Sequence, residues 1–250
     1  MRAIGIIPAR LGSQRLKSKP LIDLDGKPVI LHVWEKASKS RILEKIFVAT
    51  DSEEIKKVCV TAGAQVIMTS TAPRSGSDRV AEAYSKIEGS YDLVLNIQGD
   101  MPFINPDLID TCLENCQNFD FDMATPAYPI TLKDQFEKNS VVKVIFTSTG
   151  YALYFSRSPI PYPRFAPPQN HPFGFKHLGL YVFKPNILME FAKLETGVYE
   201  AREGLEQLRL VENGFRVKVL FVSEQLCSPG IEIDTEEDVR RALEYLKNNS

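Results

Sequence analysis

Apolar positions along this chain follow two alternating rhythms. Short runs that are apolar throughout, or every second residue, predict strands at 3–8, 45–50, 65–69, 91–97 and 122–129. Between them, apolar residues recur every three to four positions and predict helices at 29–38, 53–62 and 106–117. Ile30, Val33, Trp34 and Ala37 share one face of the first, and Pro28 stands near its first turn. Asp51-Ser52 caps the second, which Gly63 closes. Ser77-Asp78 is expected to cap a further helix carrying Val80, Ala83, Tyr84 and Ile87. Strands alternating with helices predict an α/β fold, a doubly wound and mostly parallel sheet.

The rhythm then changes. Strands are expected at 141–146, 151–156 and 175–183 with no helix between them, and Thr147-Ser148-Thr149-Gly150 reads as a hairpin turn. The proline-rich segment 159–172 reads as a long loop, and loops of that length are commonly functional or interfacial. Helices at 186–193 and 204–213, a strand at 216–222 and a helix at 236–247 complete the pattern. We read one α/β domain with an inserted β-rich lobe from about residue 141 to 183.

Composition narrows the classes. The chain has 250 residues, 44% hydrophobic and 25% charged, with net charge −2, which gives no general affinity for nucleic acid or membranes. Any phosphate affinity must therefore be local. Cys59, Cys112, Cys116 and Cys227 lack metal-site spacing, and with only His32, His171 and His177 a Cys–His metal site is not expected. Reduced thiols fit a cytoplasmic protein. Met1 and Arg2 lead straight into a short strand, without a signal-peptide pattern. No apolar run approaches the roughly 20 residues of a membrane span, so a soluble intracellular protein is expected.

Five groups of residues carry candidate chemistry. At the end of the first strand, Ala9, Arg10, Ser13, Arg15 and Lys19 belong to a loop whose backbone N–H groups and cations suit a polyphosphate. The P-loop and Gly-rich dinucleotide patterns are both absent, which argues against a nicotinamide oxidoreductase. Second, Gln98-Gly99-Asp100 ends a strongly apolar strand, expected to be central and buried, where an aspartate behind a glycine suits a Mg²⁺ ligand. Third, Asp234-Thr235 reads as a helix cap, a second metal carboxylate, or both. Fourth, Arg74-Ser75-Gly76-Ser77-Asp78-Arg79 is a plain helix start or a grip on base, ribose or phosphate. Fifth, Arg157, His177, Tyr181, Glu206 and Gln207 suit a carboxylated polyol: arginine grips a carboxylate and the others read hydroxyls. Taken singly, Arg157 fits an ordinary ion pair and His177 a core histidine.

These motifs resemble the CMP-Kdo synthetase (3-deoxy-manno-octulosonate cytidylyltransferase) family over nearly the whole chain. The resemblance rests on Pro8-Ala9-Arg10 with Lys19-Pro20-Leu21, on Gln98-Gly99-Asp100, and on Ala152-Leu153-Tyr154-Phe155-Ser156-Arg157. His177-Leu178-Gly179-Leu180-Tyr181, Leu205-Glu206-Gln207-Leu208-Arg209 and Ile233-Asp234-Thr235 extend it. It implies a single nucleotidyltransferase domain of Rossmann type over 1–250 and transfer of CMP from CTP to a keto sugar acid. Arg10, Arg15 and Lys19 would hold the CTP phosphates, Lys19 and Arg10 acting in catalysis with Asp100. Ser75 and Arg79 would bind the nucleotide, and Asp100 and Asp234 would bind Mg²⁺. Gln98, Arg157, His177, Tyr181, Glu206 and Gln207 would surround the sugar acid. A cytoplasmic homodimer serving lipopolysaccharide synthesis is implied as well.

Four places depart from the family pattern. Met101 replaces a usual glutamate, and Pro73-Arg74-Ser75-Gly76-Ser77 replaces His-Gln-Ser-Gly-Thr. Thr196-Gly197-Val198-Tyr199 replaces a segment rich in Pro and Ser, and Glu232 stands where glycine is common. The Tyr199 segment leaves a Kdo variant, such as an 8-amino analogue or a nonulosonic acid, as an alternative substrate. A transferase for a sugar phosphate would need more cations than the Arg157 region offers. A non-catalytic nucleotide-binding module would not need Asp100, Asp234 and Lys19 together.

Overall fold

In the computed structural model, residues 1–12, 16–117, 120–165 and 171–249 are described. The first strand, β1 (Ala3–Ala9), is buried along nearly its whole length, as a strand covered on both faces must be. A small hairpin follows, β2 (Asp23–Leu24) and β3 (Lys27–Pro28). Its turn places Asp25 and Gly26 at φ of 57° and 80°, the left-handed region that tight hairpins require. Then come α1 (Val29–Ala37), β4 (Leu43–Thr50), α2 (Glu53–Thr61), β5 (Gln65–Met68), α3 (Gly76–Tyr84), β6 (Leu93–Ile97), α4 (Pro106–Cys116) and β7 (Met123–Ile130). The β-rich stretch comprises a short helix α5 (Lys133–Glu137), β8 (Lys143–Phe146), β9 (Ala152–Ser156), β10 (Gly174–His177) and β11 (Leu180–Phe183). The chain closes with α6 (Pro185–Phe191), α7 (Val198–Glu203), α8 (Leu208–Glu212), β12 (Val217–Phe221), α9 (Glu224–Cys227) and α10 (Glu236–Asn248).

The main sheet runs β5-β4-β1-β6-β11-β7-β10-β8-β9, with β12 parallel to β7 on its other edge. β1, β4, β5 and β6 are mutually parallel. β11 enters antiparallel between β6 and β7, and β10 continues the same chain direction between β7 and β8. β6 ends at Ile97, opposite Leu180, so beyond that point β10 is free to take β8 as its neighbour. The resulting gap opens where β1 and β6 end, which is where α/β sheets place their ligands.

The strand period sorts the core. Ala3, Ile7 and Ala9 of β1 face a layer containing residues of α1, α2 and α4, while Ile4 and Ile6 face residues of α3, α6 and α8. A third cluster joins Leu24 and Val29 to Ile231, Ile233 and Ala242, docking the C-terminal segment onto the small hairpin. No helix of the described residues is long and apolar enough to cross a membrane.

Three expectations from the sequence are corrected. The cap of α3 is Ser75, not Ser77-Asp78: the Ser75 hydroxyl accepts from the Asp78 N–H while the Asp78 carboxylate accepts from Ser75 N–H. Ile87 consequently lies beyond the helix. The helix expected at 204–213 starts only at Leu208, because Gly204, at φ 62°, ends a preceding helix, α7, in the left-handed region. The strand expected at 175–183 breaks at Leu178-Gly179, where Leu178 N–H donates to Pro126 O at 3.1 Å.

Candidate functional site

Every described residue to which the resemblance gives a role in binding or catalysis lines one cavity of about 1350 Å³ at this sheet edge; Arg74, Ser77 and Asp78 of the fourth group do not line it. Ser13 and Arg15 lie outside the described residues, as do residues 166–170 of the proline-rich loop.

One wall is built on the strand ends. Ala9 closes β1, and exposed Arg10 follows it on the cavity rim. Gly99 lies against β1 so closely that a Cβ would come 2.7 Å from the Pro8 carbonyl oxygen. Glycine is therefore required at this crossing. Asp100, immediately beyond, accepts from Lys19 Nζ at 2.8 Å, and Asp234 accepts from the same ammonium at 2.7 Å. Lys19 sits on a 3₁₀ turn, Lys19–Leu21. Burial lowers its pKa, but Asp100 and Asp234 outweigh burial and raise it overall. The helix cap beside Asp234 is Thr235, whose hydroxyl accepts from Asp238 N–H, so capping does not occupy the Asp234 carboxylate, which accepts from Lys19. The Asp234 backbone is fixed next to Asp100 because Ile233 N–H donates to Asp100 O at 2.9 Å.

Glu232, two residues earlier, also lines this wall. Burial, with the like charges of Asp100 and Asp234, pushes its carboxyl up to about 7. Glu232 was not among the site residues expected from the sequence. The available signal was the spacing Glu232-Ile233-Asp234, which in an extended segment puts both acids on the same side. Lys176, also on the cavity lining, was missed for want of any motif.

The start of α3 forms the second wall. Ser75 lines the cavity, though its hydroxyl serves the helix cap. Arg79 is ion-paired with Asp51 at 3.0 Å and donates to the Thr69 hydroxyl, so its guanidinium is braced across the ends of β4 and β5. Glu206 reaches the helix start, accepting from Ser77 N–H at 2.9 Å, and Gln98 Nε2 lies 3.4 Å from its other oxygen. Burial raises the Glu206 pKa against the lowering effect of the Ser77 N–H. Arg74, one of the departures, donates to Glu195 and to Leu194 O.

The third wall comes from β9–β11 and the turn before α8. His177 is buried, and burial followed by neighbouring Lys176 lowers its pKa to about 3. Its Nε2 meets the Thr125 hydroxyl at 2.9 Å, and that hydroxyl donates to Leu178 O. The single hydroxyl proton is thus used, so Nε2 carries the ring proton and Nδ1 is an acceptor. Tyr181 stacks on His177 with ring centres 5.7 Å apart and donates to Gln207 Oε1 at 3.0 Å. Gln207 Nε2 is buried and has no partner among the described residues. Arg157 donates to the carbonyls of Glu203 (2.9 Å) and Asn139 (3.4 Å). Its guanidinium is thus braced by carbonyls, rather than by the ion pair the sequence allowed. Tyr199 makes an edge contact with Tyr154, with ring centres 5.7 Å apart, and is not among the residues lining the cavity.

The chemistry of the two ends differs. At the Lys19 end, two carboxylates share one ammonium. Among the described residues no group of three or more His, Cys, Asp or Glu is arranged to hold a metal. Two carboxylates completed by substrate oxygens and water suit Mg²⁺, which is commonly held in that way. At the Arg157 end, donors and acceptors dominate and one donor is unmatched.

The cytidylyltransferase family model matches residues 4–222. The chain belongs to this family. Among curated cytidylyltransferases, the 3-deoxy-manno-octulosonate cytidylyltransferase of Chlorobium phaeobacteroides is 43% identical, covering 99% of this chain and 98% of that protein. That of Fusobacterium nucleatum is 39% identical over 100% and 99%. A solved structure of CMP:2-keto-3-deoxy-manno-octonic acid synthetase complexed with CTP superimposes with TM-score 0.90 at 34% identity, covering both chains in full. The 4-diphosphocytidyl-2C-methyl-D-erythritol synthase of Anaerococcus prevotii shares the fold, with TM-score 0.63 at 17% identity and 98% and 96% coverage.

Proposed function

We propose that this cytidylyltransferase transfers CMP from CTP to 3-deoxy-manno-octulosonate, releasing pyrophosphate. The observation that carries the reading is one cavity with two chemically distinct ends. Lys19 with Asp100 and Asp234 lies at one, and Arg157, His177, Tyr181 and the unmatched Gln207 amide lie at the other. A buried donor without an acceptor costs about 1–3 kcal/mol, so a hydroxyl- or carboxylate-bearing ligand is the natural partner of Gln207. Asp100 and Asp234 would hold Mg²⁺, which when bound supplies charge neutralisation at the triphosphate and lowers the pKa of a coordinated hydroxyl.

The residues then act mainly by placement. Arg10 and Lys19 bind and orient the phosphates of CTP and offset charge building on them. Gln98, Glu206 and Gln207 align the sugar hydroxyls, while His177 Nδ1 accepts a hydrogen bond from one of them. Arg157 holds the substrate carboxylate. The anomeric hydroxyl gives up its proton to solvent and attacks the α-phosphorus, its oxygen–phosphorus bond forms, and the bond to the pyrophosphate oxygen breaks. Work as a cytoplasmic homodimer feeding lipopolysaccharide synthesis belongs to the same proposal and is supported by the family resemblance.

The test is to incubate the purified protein with Mg²⁺, each nucleoside triphosphate in turn and a panel of keto sugar acids, measuring pyrophosphate. The expected outcome is release with CTP and 3-deoxy-manno-octulosonate above all other pairs. Greater release with an 8-amino or nonulosonic analogue would assign that acid instead. Release from no pair would overturn the enzyme reading.

A further inference from the structure

Lys143, the first residue of β8, is fully buried, with no solvent-exposed surface. Its ammonium donates to three backbone carbonyls: Lys138 O at 2.9 Å, Val141 O at 2.7 Å and Arg157 O at 2.5 Å. Burial lowers its pKa against the raising influence of Glu203. Burying a cation is costly unless several good hydrogen bonds offset it, so this arrangement is expensive compared with an apolar residue at a strand start. Strand pairing makes no demand for it. Lys143 faces Ser156 in β9 and Lys176 in β10 through backbone register that any β-former would satisfy.

The three carbonyls explain the cost. Two belong to the turn 138–142, of which Lys138, Ser140, Val141 and Val142 border the cavity. The third belongs to Arg157. The Arg157 guanidinium in turn leans on Asn139 O, inside the same turn, and on Glu203 O. Lys143 therefore closes a ring: ammonium to Arg157 carbonyl, Arg157 side chain to Asn139, and the turn carrying Asn139 back to the ammonium. Opening the ring releases the Arg157 carbonyl and loosens the turn carrying the Asn139 carbonyl on which its guanidinium rests, although Arg157 N–H still donates to the Glu203 carboxylate at 2.9 Å.

We propose that Lys143 is a positioning residue for the sugar-acid end of the site, setting the pose in which Arg157 meets the substrate carboxylate. This rests on the reading of Arg157 as the carboxylate anchor. Lys143 touches no substrate itself.

The experiment is a double-mutant cycle in the full-length protein, with steady-state kinetics for CTP and 3-deoxy-manno-octulosonate and melting temperatures for each variant. Lys143→Met should raise KM for the sugar acid on the order of 10–100-fold, the scale of a misplaced positioning group. KM for CTP should stay within about twofold, since the Lys19 wall is untouched. Combined with Arg157→Ala, it should add little to the rise caused by Arg157→Ala alone. An additive double mutant, or equal rises in both KM values, would show a general strut and overturn the proposal. So would a lower melting temperature with unchanged KM. If Lys143→Met does not fold, Lys143→Gln, which keeps two donors, is read by the same criteria. An unchanged sugar-acid KM in Arg157→Ala alone would refute the anchor reading itself; a rise there without one in Lys143→Met would refute only the role of Lys143.

Discussion

Lys19, Asp100 and Asp234 form the point on which the chemistry turns. The ammonium satisfies two carboxylates at 2.8 and 2.7 Å, and each carboxylate needs a cation beside it. Lys19→Ala should lower kcat by about 10²–10³, the usual loss for one charge-stabilising donor. A melting temperature near that of the parent protein would show that the fold survives. Unchanged kcat would remove Lys19 from the reaction. Asp100→Asn and Asp234→Asn should each shift the Mg²⁺ activation curve to much higher concentration, measured by pyrophosphate release. Since Thr235 supplies the cap of α10, Asp234→Asn should leave thermal stability little changed. An activation curve identical to that of the parent would make either aspartate structural. At this scale the described positions given a site role from the sequence all line the cavity, because strand ends and short motifs mark them. Glu232 was signalled only by its spacing from Asp234, and Lys176 not at all, since nothing local distinguishes a lysine that faces a cavity from one that faces water.

Among the elements, the close crossing of β1 and the turn after β6 is the tightest constraint on the site. Gly99 has no room for a Cβ against the Pro8 carbonyl, which is backbone and cannot swing away. Gly99→Ala should cost about 1–3 kcal/mol of stability in urea unfolding. It should also lower kcat, because the displaced turn carries Asp100. Stability equal to the parent would show that the two strand ends can separate freely. The sequence flagged this glycine through its place between Gln98 and Asp100, but the Pro8 contact belongs to tertiary structure. Helix starts tell the same lesson in reverse. Ser75, Ser77 and Asp78 all look like caps, and only the chain geometry selects Ser75, with Asp78 closing the box. Gly204 was read as a helix start, yet its left-handed backbone makes it an end.

For the whole molecule, burial at the sheet edge links stability to pH. The unfolded-state pKa of a histidine is about 6.5. His177 in the folded chain is pushed down to about 3 by burial and then Lys176. Below pH 6.5 the unfolded chain therefore binds a proton that the folded chain refuses. The contribution is fully present above about 6.5 and is lost as pH falls from there toward 3. His177→Gln should show a flatter fall in unfolding free energy than the parent between pH 6.5 and 4, measured by urea titration at each pH. Identical slopes would show that His177 is protonated as readily in the folded protein as in the unfolded one. The alternation of strands and helices, the sheet-edge position of the cationic loop and of Asp100, and the β8–β9 hairpin were determined by the sequence alone. They follow from local periodicity, turn chemistry and the short range of both. Tertiary structure alone decided that β11 enters antiparallel between β6 and β7, and that Lys19 meets a carboxylate 215 positions away. It also decided that the Gln207 amide is left without a partner and that Lys143 gathers three carbonyls. Those outcomes depend on which surfaces pack together, and no local pattern encodes the partner of a residue that is distant in the chain.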